Sequence, residues 1–299
     1  MIVKSFLRRA AAALGLSLLI GSAPATARAP QPAKPALWAV TDADTTICLF
    51  GTIHLLPENV QWRTPRIDQA IATSQQLVVE TIVDDKDPTK IMSAMANLAL
   101  NTPNLPPLAD RVPPARRSAL TEAVKKSGFP PQALDRMETW AAAFILLSNK
   151  FRELGLSGGV EGVLRNDFSA KGKNVGELES NLEQLSFFDR LPESAQRALL
   201  EGAIEENKAM NDDFGGMLQA WSRGDVRGIA RTFDRDLSAS PALQHALIRQ
   251  RNANWSKWIE RRMTEPGAVM VAVGAGHLAG KDSVLEMLKK GGYKIRRLQ

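Results

Sequence analysis

Two of the three histidines in this 299-residue sequence share a setting that suits ligand binding. His54 stands three residues after Gly51, and His277 stands three residues after Gly274. Each group follows an apolar run, TTICLF or AVMVAV, that is typical of a buried strand. The third histidine, His245, lies inside a helical pattern, so we expect it on the helix flank in contact with water.

An acidic residue, Glu80, completes this set because it directly follows a third apolar run, QLVV. In α/β sheets, ligands lie in the crevice beyond the carboxyl ends of the strands, so two imidazoles and one carboxylate at such ends can converge. Glycine at these positions lets the backbone adopt a positive φ or approach a ligand closely. One such glycine–histidine spacing arises often by chance, and Glu80 alone would be interpreted as a capped or solvated carboxylate. The glycine–histidine spacing, however, occurs twice, each time after an apolar run, and this recurrence favours a functional site.

Three further polar residues are candidates for the site. Glu179 ends the run VGELE, where a surface salt bridge is the simpler role. Arg251 shares a predicted helix face with Leu247 and Trp255, where an arginine is unexpected. It is either a snorkelling side chain or a fixed charge directed into the site, with Asn252 beside it.

The elements that must position these residues are strands at both ends of the chain and helices between them. Strands are predicted in the hairpin LWAVTDADTTICLFG, in QQLVVET, KNVGELES and GAVMVAVGAGH, and in GYKIRRL, whose alternating apolar and basic residues indicate an exposed edge strand. Prolines and capping residues predict helices over residues 87–100, 113–128, 131–155, 192–221 and 241–263.

The composition is that of an ordinary globular protein, with 44% hydrophobic and 23% charged residues, enough for one large domain or two small ones. Residues 1–27 combine a basic start, an apolar run and the cleavage pattern Ala25-Thr26-Ala27, which predicts a secretory signal peptide. Residues 28–36 are predicted to be a Pro-rich extended leader, followed by one domain over residues 37–299. No other stretch reaches the roughly 20 apolar residues of a membrane span. We therefore expect a soluble protein of the periplasm or the extracellular space.

The charge pattern argues against nucleic-acid binding, and the cysteine content rules out an internal disulfide. The formal net charge of +6 falls to +3 without the signal peptide, which holds three basic residues and no acidic ones. This excess is not concentrated in any segment, so nucleic-acid binding has little support. Cys48 is the single cysteine and allows no internal disulfide. Its apolar neighbours favour a small buried hydrophobic residue over a nucleophile.

At the level of motifs, the chain resembles the TraB/GumN family, which also includes the Tiki proteins. The resemblance covers nearly the whole predicted domain and rests on LWAVTDADTTICLFGTIHLL, IDQAIATSQQLVVE, GKNVGELESNLEQLSFFDRLP, RNANWSKWI and VMVAVGAGHLAGKDSVLEMLKKGGYKIRRL. The paired glycine–histidine motifs with the intervening acid are the signature of that family. The middle of the chain departs from the family pattern, with GLSGG in place of a GLD-like turn and Ser180 in an LET-like position.

The resemblance implies a mixed α/β fold, with a central mixed β-sheet built by strands from both chain ends and a large helical insertion. It also implies a divalent-metal site on His54, Glu80 and His277, with Glu179, Arg251 and Asn252 at recurring polar positions. Tiki-type members are described as metal-dependent peptidases. We therefore expect a metal-dependent hydrolase that acts on a peptide or protein.

Histidine and carboxylate ligands suit borderline cations such as zinc, manganese or cobalt, and three protein ligands leave a position for water. Under this hypothesis Glu80 is either a ligand or the general base, Glu179 takes the other role, and Arg251 stabilises a developing oxyanion. Two alternatives stay open. One is a non-catalytic exported protein that sequesters a peptide or a metal-containing ligand. The other is a redox enzyme, because two histidines and one carboxylate also form a non-haem iron site.

Overall fold

The computed structural model describes residues 29–83, 89–100, 105–153, 155–205, 207–237 and 241–299. The predicted signal peptide lies outside the described residues, as do the helix-capping residues at positions 87, 88 and 240.

Ten strands are assigned within the described residues, and six of them form one mixed sheet. The strands are β1 (Gln31–Pro32), β2 (Leu37–Thr41), β3 (Thr45–Thr52), β4 (Leu55–Pro57), β5 (Val60–Gln61), β6 (Gln76–Val79), β7 (Leu156–Gly158), β8 (Asn174–Glu177), β9 (Gly267–Gly274) and β10 (Ile295–Arg297). The six-stranded sheet has the order β10-β2-β3-β9-β6-β8. The pairs on the β10 side of β3 are antiparallel, whereas those from β3 to β8 are parallel. Strands from both chain ends thus meet in one sheet, which confirms the predicted mixed α/β fold.

The predicted hairpin joins β2 to β3 through a turn that Asp42 organises. Its side-chain Oδ1 accepts hydrogen bonds from the backbone N–H groups of Asp44, at 3.2 Å, and Thr45, at 2.8 Å. An aspartate that bonds its own backbone two or three residues on stabilises a tight turn. The hairpin therefore fixes the register of β3, the strand that leads to His54.

The three central parallel strands all end at the same edge of the sheet. Thr52 at the end of β3 pairs with Gly274 at the end of β9, and Val79 at the end of β6 pairs with Ala272. Their long apolar runs are buried on both faces, as is usual for parallel strands covered by helices. The register brings the residues after these strands to one place. Cys48 is buried within β3, as its apolar neighbours predict.

Helices cover the sheet and fill the middle of the chain. They are α1 (Pro65–Thr73), α2 (Thr89–Ala99), α3 (Arg117–Ser127), α4 (Pro131–Asp135), α5 (Thr139–Glu153), α6 (Val160–Ala170), α7 (Asn181–Asp189), α8 (Glu193–Ala203), α9 (Asn207–Ser222), α10 (Val226–Leu237), α11 (Pro241–Gln244), α12 (Gln250–Arg262) and α13 (Val284–Lys290). Within the described ranges, none of them combines the length and the apolar character that crossing a bilayer requires.

Two predicted helices are each divided in two. The predicted helix over residues 131–155 breaks between α4 and α5 because the buried Arg111 takes two of its carbonyl groups. Its guanidinium donates to the backbone oxygens of Asp135, at 2.5 Å, and Met137, at 2.6 Å. The predicted helix over residues 192–221 is divided into α8 and α9, with Gly202, a weak helix former, in the last turn of α8.

The segment predicted to be an extended leader contacts the rest of the protein. Gln31 and Pro32 form β1, which pairs in parallel with β5, and Ala33 and Ala36 are buried. At the other end of the chain, β10 lies at the edge of the six-stranded sheet, as its alternating sequence predicts.

Candidate functional site

The structure brings His54, Glu80 and His277 together at the edge where β3, β6 and β9 end. The Nε2 atom of His54 lies 3.7 Å from Oε1 of Glu80, and Nε2 of His277 lies 3.9 Å from the same oxygen. All three side chains are at most 3% exposed. Two histidines that are far apart in sequence therefore face one buried carboxylate.

Gly51 allows the two histidine motifs to approach each other, rather than supplying a left-handed turn. It is not among the glycines with positive φ. A Cβ atom at this position would lie only 3.2 Å from the Cα of Ala275, so the turn after β9 packs against the end of β3. The positive φ that was one expected role of Gly51 is not observed, and the close approach that it allows is to the backbone of Ala275.

Glu80 is held as a carboxylate by donors on both of its oxygens. Oε1 accepts the backbone N–H of Gly274 at 2.7 Å, and Oε2 accepts Nη2 of Arg251 at 2.6 Å. Burial alone would raise the pKa of Glu80, but the nearby charges, that of Arg251 foremost, lower it below its ordinary value. Glu80 therefore carries a negative charge in the centre of the site.

Arg251 supplies the positive charge of the site and is only 1% exposed. Its Nε donates to both carboxylate oxygens of Glu179, at 2.8 and 3.1 Å, while Nη2 donates to Glu80. Its Cζ lies 4.7 Å from the centre of the Trp255 ring. Burial would lower the pKa of Arg251, but the two carboxylates raise it. A snorkelling arginine keeps its charge in water, so the structure supports the alternative, a charge fixed in the site.

Glu179 reaches the site through the backbone as well as through Arg251. Its N–H donates to the carbonyl oxygen of Glu80 at 2.9 Å, which ties the end of β8 to the end of β6. Burial raises the pKa of Glu179, and the charge of Arg251 opposes this only in part. The carboxylate of Glu179 is buried and paired with Arg251, so it does not form a surface salt bridge.

Asn252 fixes the tautomer of His277. Its Nδ2 donates to the carbonyl oxygen of Asp282 at 2.7 Å, so its Oδ1 is the acceptor that faces Nδ1 of His277 at 2.6 Å. The proton of the ring must then be on Nδ1. On the other side, Nη1 of Arg251 approaches Nε2 of His277 at 3.2 Å and can only donate. Burial and the charge of Arg251 lower the pKa of His277 to about 3, so its Nε2 is a lone-pair donor.

His54 is oriented in the same manner by a carboxylate. Its Nδ1 lies 2.9 Å from Oε1 of Glu161, which also accepts the hydroxyl of Thr52. The Nε2 atom of His54 is buried and has no hydrogen-bond partner within the described residues. Burial would lower the pKa of His54, but the charges of Glu161 and Glu80 raise it to about 10. This nitrogen lies within ion-pair distance of Glu80 but forms no hydrogen bond with any described residue, and a buried nitrogen without a hydrogen bond is an unusual feature of a folded protein.

Glu161 is the site residue that the sequence did not reveal. It is the second residue of α6, and Gly159 lets this helix pack directly on the backbone of His54. A Cβ atom on Gly159 would lie 2.2 Å from the carbonyl carbon of His54. The available signal is the Gly158-Gly159 pair followed by an acid at the start of an apolar-periodic helix. That signal predicts a helix start, but it does not identify the partner of the acid.

A π-helical turn, His245–Arg249, ends two residues before Arg251. Such turns widen the helix and are frequent at functional sites. Arg251 and Asn252 are both buried, although neighbours on a helix point in directions that differ by about 100°. His245 at the start of this turn is exposed and lies outside the site, as its helical setting predicts.

His54, Glu80 and His277 supply the ligand types of a divalent-cation site, but their ligand atoms are farther apart than in a metal-bound site. Each histidine holds Nδ1 on a side-chain oxygen, which leaves Nε2 for a cation, as in most histidine-ligated metal sites. Ligand atoms of a tetrahedral zinc ion lie roughly 3.4 Å apart, slightly closer than the 3.7 and 3.9 Å observed. Within the described part of the chain, no three histidine, cysteine or acidic side chains could hold a metal ion as they stand. The residues fit such an ion in type and orientation, provided that the ring of His277 releases Arg251 and that Nε2 of His54 loses the proton that its raised pKa places there.

Comparison with known protein families identifies the family of this chain. The chain belongs to the TraB/PrgY/gumN family, whose model matches residues 36–297. It is 26% identical to the uncharacterized protein YbaP of Escherichia coli K12 over 243 residues. This alignment covers 81% of this chain and 87% of YbaP. The YbaP protein of Shigella flexneri matches to the same extent. No solved structure matches the chain significantly.

Proposed function

We propose that this protein is an exported metal-dependent hydrolase that binds a divalent cation with His54, Glu80 and His277. The observation that carries the proposal is the buried Nε2 of His54, which has no hydrogen-bond partner among the described residues and faces Glu80. The second Nε2, on His277, faces the same oxygen. A bound divalent cation such as zinc, manganese or cobalt would lower the pKa of a water molecule and polarise a carbonyl group.

The residues around the three ligands orient them and hold their protons. Glu161 and Asn252 keep the Nδ1 protons of the two histidines, so that both Nε2 atoms are directed into the site. Arg251 holds Glu80 and Glu179 in place and keeps Glu80 ionised. Because Nε, Nη1 and Nη2 of Arg251 each contact a side chain, an oxyanion role would use the remaining N–H groups of Nη1 or Nη2. Glu80 acts as a ligand in this proposal, while Glu179 acts through the arginine.

The peptide bond as the substrate rests on the resemblance to the Tiki proteins, and export rests on the predicted signal peptide. Cleavage of a peptide library by the purified protein, with and without a chelator, tests the activity. We expect cleavage that the chelator abolishes and that zinc, manganese or cobalt restores. A library that stays intact under every metal condition would contradict the proposal.

One observation favours the alternative of a non-catalytic binding protein. Arg251 is already paired with both Glu80 and Glu179, so both carboxylates have a partner without a metal ion. In that case the protein would bind a peptide or a metal-containing ligand without turnover. A peptide that binds the protein and is recovered intact in the presence of each metal would support this alternative.

A further inference from the structure

One cavity of the protein shares no residue with the polar centre. It has a volume of about 270 Å³ and lies between α2, the end of α3 and α5. Its walls are formed by Met92, Met95, Ala96, Ala99, Leu100, Ser127, Phe129, Met137, Ile145, Ser148, Asn149 and Arg152.

Large apolar side chains at the rim of this cavity are exposed to water. Five large hydrophobic side chains are exposed among the described residues. Three of them line the cavity: Met92, which is 48% exposed, Leu100, 55%, and Phe129, 43%. Single exposed apolar residues are ordinary, but a contiguous group marks a binding site. Met95 and Met137 add flexible thioether side chains, which adapt to ligands of irregular shape.

Four polar residues line the cavity, and all but Ser127 lie together on α5. Ser148, Asn149 and Arg152 come from a single turn of α5. The guanidinium of Arg152 donates to Oδ1 of Asn149, and Nδ2 of Asn149 donates to Glu153 at 3.3 Å. Arg152 is exposed, and none of the ion pairs within the described ranges includes it. The cavity is therefore mainly apolar, with an available positive charge on the wall formed by α5.

We propose that this cavity binds an anionic amphiphile, a carboxylate with one unbranched apolar chain. The chain would lie among the methionines and Phe129, and the carboxylate would contact Arg152. An apolar cavity of about 150 Å³ holds a benzene-sized molecule, so a cavity of this volume accommodates roughly ten carbon atoms. This ligand site is independent of the proposed hydrolase activity.

Calorimetric titration of the purified protein with decanoate, below the concentration at which decanoate forms micelles, tests the proposal. Decan-1-ol serves as the neutral probe and butyrate as the short-chain probe. We expect saturable binding of decanoate and decan-1-ol, and no binding of butyrate, because chain burial supplies most of the affinity. Absence of decanoate binding to the wild-type protein would overturn the proposal. An apolar ten-residue peptide that binds while decanoate does not would assign the cavity to a peptide partner instead.

Three variants, one of them a matched control, locate the ligand. Ala96→Trp fills the cavity from an exposed position of α2, and Ser93→Trp places the same side chain on an exposed position of that helix away from the cavity. We expect a loss of decanoate affinity of at least about tenfold for Ala96→Trp and no change for Ser93→Trp, since chain burial is lost only in the first. Equal affinities in these two variants would refute the site. Arg152→Gln should weaken decanoate about threefold, the scale of an exposed charge pair, and leave decan-1-ol unchanged. An equal effect on both probes would refute the assigned orientation.

Discussion

Oε1 of Glu161 lies 2.9 Å from Nδ1 of His54, and this contact directs the other ring nitrogen of the histidine towards Glu80. Glu161 and His54 come from different elements, the start of α6 and the turn after β3. Their contact depends on Gly159, which lets the helix approach the backbone of the histidine. The orientation of one proposed metal ligand is thus set by a helix in the middle of the chain.

The first prediction concerns the charge of Glu161. Glu161→Gln should weaken metal binding by His54 about tenfold to a hundredfold, the usual cost of losing a carboxylate behind a metal-bound histidine. The dissociation constant is measured by competition with a coloured chelator. Glu153→Gln, an exposed acid at the end of α5, is the control and should bind metal as the wild type does. Identical affinity in a folded Glu161→Gln variant would show that the contact has no role in metal binding.

The second prediction concerns Gly159 and uses a neighbouring glycine as its control. Gly159→Ala places a Cβ atom 2.2 Å from the backbone of His54, so α6 must move and the free energy of unfolding should fall by at least about 2 kcal/mol. Gly162→Ala, in the same helix with open space around it, should be neutral or stabilising by up to about 1 kcal/mol. Urea unfolding of both variants gives the two values. Equal stability in the two variants would contradict the described packing of α6.

The third prediction compares the loss of stability on replacing the buried Arg251 with that on replacing a nearby surface arginine, Arg249. Arg251→Ala leaves Glu80 and Glu179 buried without their partner, which should lower the free energy of unfolding by about 3–5 kcal/mol. Adding Glu179→Gln to this variant should restore part of the loss, because one uncompensated charge is removed. Arg249→Ala removes an arginine that is 46% exposed and paired with Asp282 at 2.9 Å, and should cost less than about 1 kcal/mol.

Turnover by the same arginine variants tests the catalytic role proposed for Arg251. If its charge also stabilises the transition state, folded Arg251→Ala should retain its metal and lose turnover about a hundredfold. Full specific activity per folded molecule would limit the arginine to a structural role. No stability loss in Arg251→Ala would contradict the buried network itself.

The sequence predicts the three site residues that follow strands and two on a helix, Arg251 and Asn252, but it does not predict Glu161. The apolar runs before His54, Glu80 and His277 locate three strand ends, and parallel strands bring such ends together. Glu161 could not be predicted in this way because its neighbours specify only a helix start. The same holds for the break between α4 and α5, because Arg111, which takes the carbonyl groups there, lies more than 20 positions earlier in the chain.

The fourth prediction concerns export. The basic start, the apolar run and the Ala25-Thr26-Ala27 pattern predict cleavage after residue 27. Amino-terminal sequencing of the soluble protein from a cell fraction outside the cytoplasm should begin near Arg28. A mature soluble pool that retains Met1 would contradict this prediction.

The most direct test of the central claim is the metal content of the purified protein and of three histidine variants, measured by mass spectrometry after dialysis. The proposed site predicts about one divalent cation per chain in the wild type and in His245→Ala, whose exposed histidine lies outside the site. His54→Ala and His277→Ala each remove one of three protein ligands and should lose the ion, while circular dichroism shows that they remain folded. Equal metal content in the wild type and the folded His54→Ala and His277→Ala variants would contradict a metal centre on these residues.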